Sequence, residues 1–374
     1  REKKIRNKKL FPVSFAIDQR HLVEGTDKMC EEEIKNLKAL QELDPDSSNI
    51  VKVIDLWKYR YKNFVCYEFL HSDLKHLMST RNFQPLEISK IRDVAQQILV
   101  ALKALGKIKM VHLNIRPSNI RLTHQYYVPR DHLKVKLLDF CHASILTDET
   151  QEHDTQHTFY KPFEIMVGLP LGRAIDMWGL GCTLAYLYLG HNLFPRSEYD
   201  AMSLMLQLQG KPRNSLLKQA KLKEKFFIED EKEKTWRFKT FKEFYKKKLF
   251  YRRTHKHTYT SFDDFFKVPT LPEDLENSED VREFLDLLKK MLDLDPNKRI
   301  TPTKALKHRF ITMKSAIPNK DNESPGKISV KDALQTPAKR FCKFVRKMFR
   351  KITCLGESNT VPQQKEVRIK NTFY

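Results

Sequence analysis

The chain has 374 residues, 40% hydrophobic and 31% charged, proportions that exclude disorder throughout and allow one large core or two lobes. Its formal charge of +22 favours acidic partners such as nucleic acid, anionic membrane or acidic protein surfaces through a long-range field, without choosing among them. Six cysteines stand far apart with no CxxC pair and no tight spacing of the kind that suggests a disulfide framework or zinc site, which fits a reducing intracellular compartment, nucleus or cytoplasm.

Taken in order, the chain opens on a basic run, REKKIRNKK, followed by LFPVSFAI, which has the look of a strand. A segment ahead of Arg1 is compatible with this pattern, and nothing resembles a signal peptide. Residues 28–40 read as a helix with Ile34, Leu37 and Leu40 at spacings of three, and NFVCYEFL reads as a buried strand. From Ile88 to Leu105, apolar residues at three-and-four spacing (Ile91, Val94, Ile98, Leu102, Leu105) predict a long helix, with Gly106 as its expected C-cap. That helix delivers the chain into VHLNIRPSNIRL, residues 111–122, and HLKVKLLDF then reads as a strand entering a core. RAIDMWGLGCTLAYLYLG and DVREFLDLLKKMLDL are strong helix patterns, the first too short to cross a bilayer. Thr301-Pro302 supplies an N-cap followed by Pro at the first helical position. After about residue 315 the polar, Pro-containing KSAIPNKDNESPGKISVKDALQTP reads as a linker.

A small strand-rich part followed by a larger helical part, with YKPFEIMVGLPLGRAIDMWGLGC and LDLDPNKRITPTKAL at its end, resembles a protein kinase domain, specifically the homeodomain-interacting protein kinases of the CMGC group. The resemblance runs from about residue 10 to residue 313. It implies an α+β, two-lobed fold: a partial N-lobe over 1–70, a C-lobe over 71–314 with a CMGC insert near 197–275, a linker over 315–338 and a flexible tail over 357–374. It also implies that Asp176 holds the catalytic-loop backbone and that Glu164 pairs with Arg299 to brace the end of the activation segment. These residues bear on fold, not activity.

The positions that carry chemistry in the family are altered here. In VHLNIRPSNIRL, the place of the proton-accepting Asp is held by Asn114 and that of the catalytic-loop Lys by Arg116. A carboxamide cannot accept a proton at neutral pH, and general-base catalysis is worth about 10² to 10⁴ in rate. FAID stands where the ATP-binding lysine is expected, so that position is Asp18, with Glu33 at the place of its helical partner. A unit charge pair at about 4 Å contributes roughly 4 kcal/mol at an effective dielectric near 20, so the reversed sign repels phosphates by a similar amount. Arg121 replaces the apolar residue beneath the purine, and a guanidinium in such a slot needs a partner; Asp18 across the cleft is the expected one. Tyr67 is the gatekeeper, and Glu68 to Leu70 form the hinge. Asn119 and Asp139, the family's two magnesium ligands, are retained, which keeps weak ATP and Mg²⁺ binding open. Cys141 replaces the glycine that lets this segment flip. No Gly-rich phosphate loop is seen, and the activating-tyrosine position is Asp154.

Near the C-terminus, KRFCKFVRKMFRKITCL sets Phe341, Val345, Met348, Ile352 and Leu355 on one face among basic residues. This predicts a basic amphipathic helix over 339–356, of the kind that seats on anionic membrane or a calmodulin-like partner. Three functions compete: a degenerate kinase fold acting as a protein-interaction module on the partners of active relatives, a weak ATP-dependent serine/threonine kinase, and a charge-driven nucleic-acid or membrane adaptor. KTFKEFYKKKLFYRRTHKHTY suggests the third, but it falls in the insert, and nucleic acid is not expected as the primary partner.

Overall fold

The computed structural model describes residues 17–19, 34–59, 62–123, 132–145, 160–230, 234–245, 259–267 and 278–312. Glu33, Asp154, the linker and the basic tail lie outside the described residues. The small lobe is built on β1 (Ile17–Gln19), α1 (described over 34–39), β2 (Val53–Tyr59) and β3 (Lys62–Tyr67). Its sheet is antiparallel in the order β1-β3-β2, with Asp18 opposite Val65 and an irregularity between Val53 and Asp55. Leu37 of α1 is buried, and Asn36 beside it donates to the carbonyl of Ala143 at 2.6 Å, tying the small lobe to the end of the site strands.

The larger lobe begins with α2 (Leu74–Thr80), capped by the Asp73 side chain, and α3 (Ile88–Lys107). The apolar spacing of α3 buries Ile91, Val94, Ile98, Leu102 and Leu105 as one face. Gly106 is not its cap: the helix runs through it, and the left-handed turn falls at Lys109, with φ of 56°. Gly106 instead brings its carbonyl within 3.2 Å of Arg173 Nη1, a tertiary contact that spacing alone does not reveal.

Short antiparallel pairs follow, β4 (Met110–Val111) with β7 (Ser144–Ile145) and β5 (Ile120–Leu122) with β6 (Val135–Leu137). They carry the loops described below. After α4 (Phe163–Val167) comes α5 (Ala174–Leu189), apolar on every side and buried from Ile175 to Leu189 as the central helix. Trp178 of α5 stacks on Phe194 at 5.3 Å. Around it lie α6 (Glu198–Gln209), α7 (Asn214–Gln219), the hairpin β8 (Phe227–Asp230) and β9 (Thr235–Phe238), and α8 (Phe241–Tyr245). The helices α9 (Ser278–Met291), α10 (Pro302–Ala305) and α11 (Arg309–Thr312) close the lobe. Thr301 caps α10 by accepting from the Lys304 amide, with Pro302 at its first turn. Among the described residues no helix is long and apolar enough to cross a membrane.

Candidate functional site

The β4–β5 connection is held from below by one carboxylate. The backbone amides of His112 and Leu113 donate to Asp176 at 2.7 and 2.9 Å, which lets Leu113 keep a left-handed φ of 60°. Asp176 sits in the first turn of the buried α5. The fully buried His112 ring meets Phe140 edge-on at 4.8 Å. Its Nδ1 accepts from the Asn114 amide at 3.2 Å, so Nε2, 3.1 Å from the Leu138 carbonyl, is the protonated nitrogen.

Burial acts oppositely on these two groups. It pushes the Asp176 carboxyl up to about 7 and lowers His112 to about 4, where Asp139 opposes the shift and His142 and Arg116 add to it. Asp176 contributes stability that is lost as pH rises from its unfolded value toward 7; His112 contributes stability that is lost as pH falls from its unfolded value toward 4. Between these limits the two nearly cancel. Replacing His112 by phenylalanine is therefore expected to expose the Asp176 contribution alone. Stability of the variant relative to the native chain should fall by about 1.4 kcal/mol per pH unit between about pH 4.5 and 6.5, measured by urea unfolding. Parallel pH profiles for the two proteins would show the expectation to be wrong.

At the centre of the site, the Asn114 amide donates to Asp139 Oδ2 at 3.2 Å, and Cys141 Sγ lies 2.8 Å from Asp139 Oδ1. Both oxygens of that carboxylate thus meet a donor, and both donors come from altered positions. Asp139 itself has φ of 70°. Asn119, at the end of the 3-10 turn Pro117–Asn119, donates to the Asn114 carbonyl at 2.9 Å. Asn114, Asn119 and Asp139 are therefore brought together, and Arg116 lies on the same loop.

Arg121 is the middle residue of β5, opposite Lys136. Its neighbours Ile120 and Leu122 are buried in the core, so strand alternation sends Arg121 to the opposite, cleft side. Its Nε is buried, and among the described residues nothing hydrogen-bonds to it. The Asp18 backbone lies in β1, and its side chain and Glu33 are outside the described residues.

Tyr67 and Leu70 are buried at either end of the hinge. Glu68 does more there than offer backbone. Its Oε1 accepts from the Lys52 amide and from Lys136 Nζ, each at 2.7 Å, while the same Nζ reaches Asp46 at 2.9 Å. Nothing in the residue pattern singles this cluster out: HLKVKLLDF carries two lysines, Lys134 and Lys136, and only packing buries the second. Farther down, Arg299 forms a bidentate pair with Glu164 at 2.6 and 2.7 Å, fully buried. The same guanidinium donates to the carbonyls of Ala174 and Asp293 and lies 5.1 Å from the Trp178 ring.

The sequence profile of the protein kinase domain family matches residues 13–311. Homeodomain-interacting protein kinase 1 of Mus musculus is 34% identical over 291 residues, covering 75% of this chain and 24% of that protein. Homeodomain-interacting protein kinase 1 of Caenorhabditis elegans is 32% identical over 298 residues, 75% of this chain and 35% of that protein. Homeodomain-interacting protein kinase 4 of Mus musculus is 30% identical over 303 residues, 76% of this chain and 49% of that protein. The chain thus spans about a quarter to a half of the length of these relatives.

Proposed function

The chain belongs to the protein kinase domain family, and we propose that it is a member that has lost phosphoryl transfer and acts as an interaction module for proteins engaged by its relatives. The observation that carries this reading is the Asp139 carboxylate, faced on one oxygen by the Asn114 amide and on the other by the Cys141 thiol. Where the family places a proton acceptor, this site places a donor.

As a seat for magnesium the residues fit poorly. A cation at Asp139 would meet the positive end of the Asn114 amide dipole, and the hard oxygen ligation magnesium requires would have to break two existing contacts. As a seat for ATP, the sequence carries Asp18 at the position of the phosphate-binding lysine, and Arg121, with a buried Nε, stands where the purine needs an apolar floor. Each change damages a different part of the mechanism. The partners are intracellular proteins in nucleus or cytoplasm, and the homeodomain partners named for the relatives are the first to try.

A second reading, weak serine/threonine kinase activity, is favoured by Asn119, which keeps its hydrogen bond to the catalytic loop beside the retained Asp139. One experiment separates the two. Calorimetry with magnesium and ATP should give no binding heat for the native chain, and radiolabelled ATP should leave it and a generic peptide unlabelled, with Asn114→Asp run alongside. Labelling by the native chain would establish the second reading instead.

A further inference from the structure

Low in the larger lobe, a pocket of about 470 Å³ opens between the α4–α5 link, α7 and the loop that leads into α10. Its walls are mainly apolar, with Leu169, Met177, Leu216, Pro296 and Ile300 among them, and its volume lies in the roughly 300–1,000 Å³ range of small-molecule sites. Two charged residues line it, Arg173 and Arg299, and no acidic one does. The Arg299 guanidinium is neutralised by its bidentate pair with the buried Glu164. Arg173 differs: it is exposed, and among the described residues its one partner is the neutral carbonyl of Gly106, at 3.2 Å. A single uncompensated positive charge therefore accompanies an apolar recess.

The backbone of these walls limits what the recess can hold. The amides of Leu169, Leu216, Arg299 and Ile300 already donate to the carbonyls of Glu164, Arg213, Asp295 and Lys290. Pro170, Pro296 and Pro302, which also line the pocket, have no N–H to offer. A peptide laid along these walls would bury main-chain carbonyls without donors, and each such group is costly. A hydrocarbon chain carries no group of that kind. Gly172 gives access for a test of the pocket: a Cβ built on it meets nothing within 4 Å, and its backbone is outside the left-handed region, so a larger residue is accommodated there without strain.

We propose that this pocket binds a small amphiphilic carboxylate, its alkyl chain against Leu169, Met177, Leu216 and Ile300 and its head group at Arg173. One unpaired cation selects one anionic group, and the apolar walls select an aliphatic body over a peptide. The site is independent of the nucleotide cleft and of whether phosphoryl transfer is lost. Because its walls include the link that joins α4, which carries Glu164, to α5, a ligand held there binds the folded chain and not the unfolded one. Occupancy therefore raises the melting temperature.

The test is calorimetric titration of the full chain with hexanoate, octanoate and decanoate below their micelle-forming concentrations, with the melting temperature read at saturation. Each added methylene should tighten binding about fourfold, since each is removed from water. Decanol, the same length of chain without the charge, should bind about threefold more weakly than decanoate. Arg173→Gln should remove that difference by weakening decanoate alone. Gly172→Leu should weaken both ligands about tenfold by narrowing the opening, and its melting temperature without ligand should match that of the native chain. Absence of any binding heat overturns the proposal. So does binding that ignores chain length, or that Arg173→Gln and Gly172→Leu both leave intact, since the anion would then be held by the basic surface at large.

Discussion

Replacing Arg299 by alanine is expected to destabilise the fold by about 3–5 kcal/mol, read as a fall in the urea midpoint at unchanged slope. The magnitude follows from the environment. Glu164 is 1% exposed and accepts two hydrogen bonds from the one guanidinium, so truncation leaves a buried carboxylate with neither partner nor water. It also strands the carbonyls of Ala174 and Asp293, which that guanidinium serves. Replacing both partners with apolar residues, Glu164→Leu with Arg299→Met, should recover part of the loss because no charge remains buried. Recovery stays incomplete because the two carbonyls are still orphaned. A loss below about 1 kcal/mol for Arg299→Ala would mean that the pair is far wetter than its burial indicates.

The second large effect concerns the nucleotide cleft. Magnesium with ATP should leave the melting temperature of the native chain unchanged, and Asn114→Asp alone should not alter that, because Asp18 and Arg121 remain in place. Asp18→Lys with Arg121→Leu removes both obstacles to binding. Saturation at about a hundred times the dissociation constant then stabilises the variant by about 2.7 kcal/mol. Adding Asn114→Asp to that pair restores the proton acceptor and should raise any residual phosphoryl transfer by about 10² to 10⁴. A native chain stabilised by ATP as strongly as the reverted one would remove the electrostatic basis of the proposal.

Much of the candidate site can be traced in the order of residues. Asn114, Arg116, Asn119, Arg121 and Asp139 fall on one loop and two adjoining strands because the long apolar periodicity of α3 and the short apolar strands bracket them. Their types alone say that a proton acceptor is missing. What their partners are could not be read in the same way. The Asn114 amide and the Cys141 thiol meet on the carboxylate of Asp139, whose backbone is left-handed, and neither contact can be read from spacing. Gly106, which punctuates the sequence like a helix end, is carried within the helix and approached by Arg173 instead.

The sequence by itself determined the family, the succession of a strand-rich lobe and a helical lobe, and the sign changes at the chemical positions, since periodicity, caps and residue types are local properties of the chain. Tertiary structure alone decided which distant groups neutralise one another. Lys136 reaches a hinge glutamate 68 positions away and an aspartate 90 positions away, and Asp176 supports a loop some 64 positions behind it. It likewise brought the left-handed Phe83 turn against Gly190. Such pairings depend on burial and on which side chains the packed helices force together, and neither is encoded in spacing along the chain.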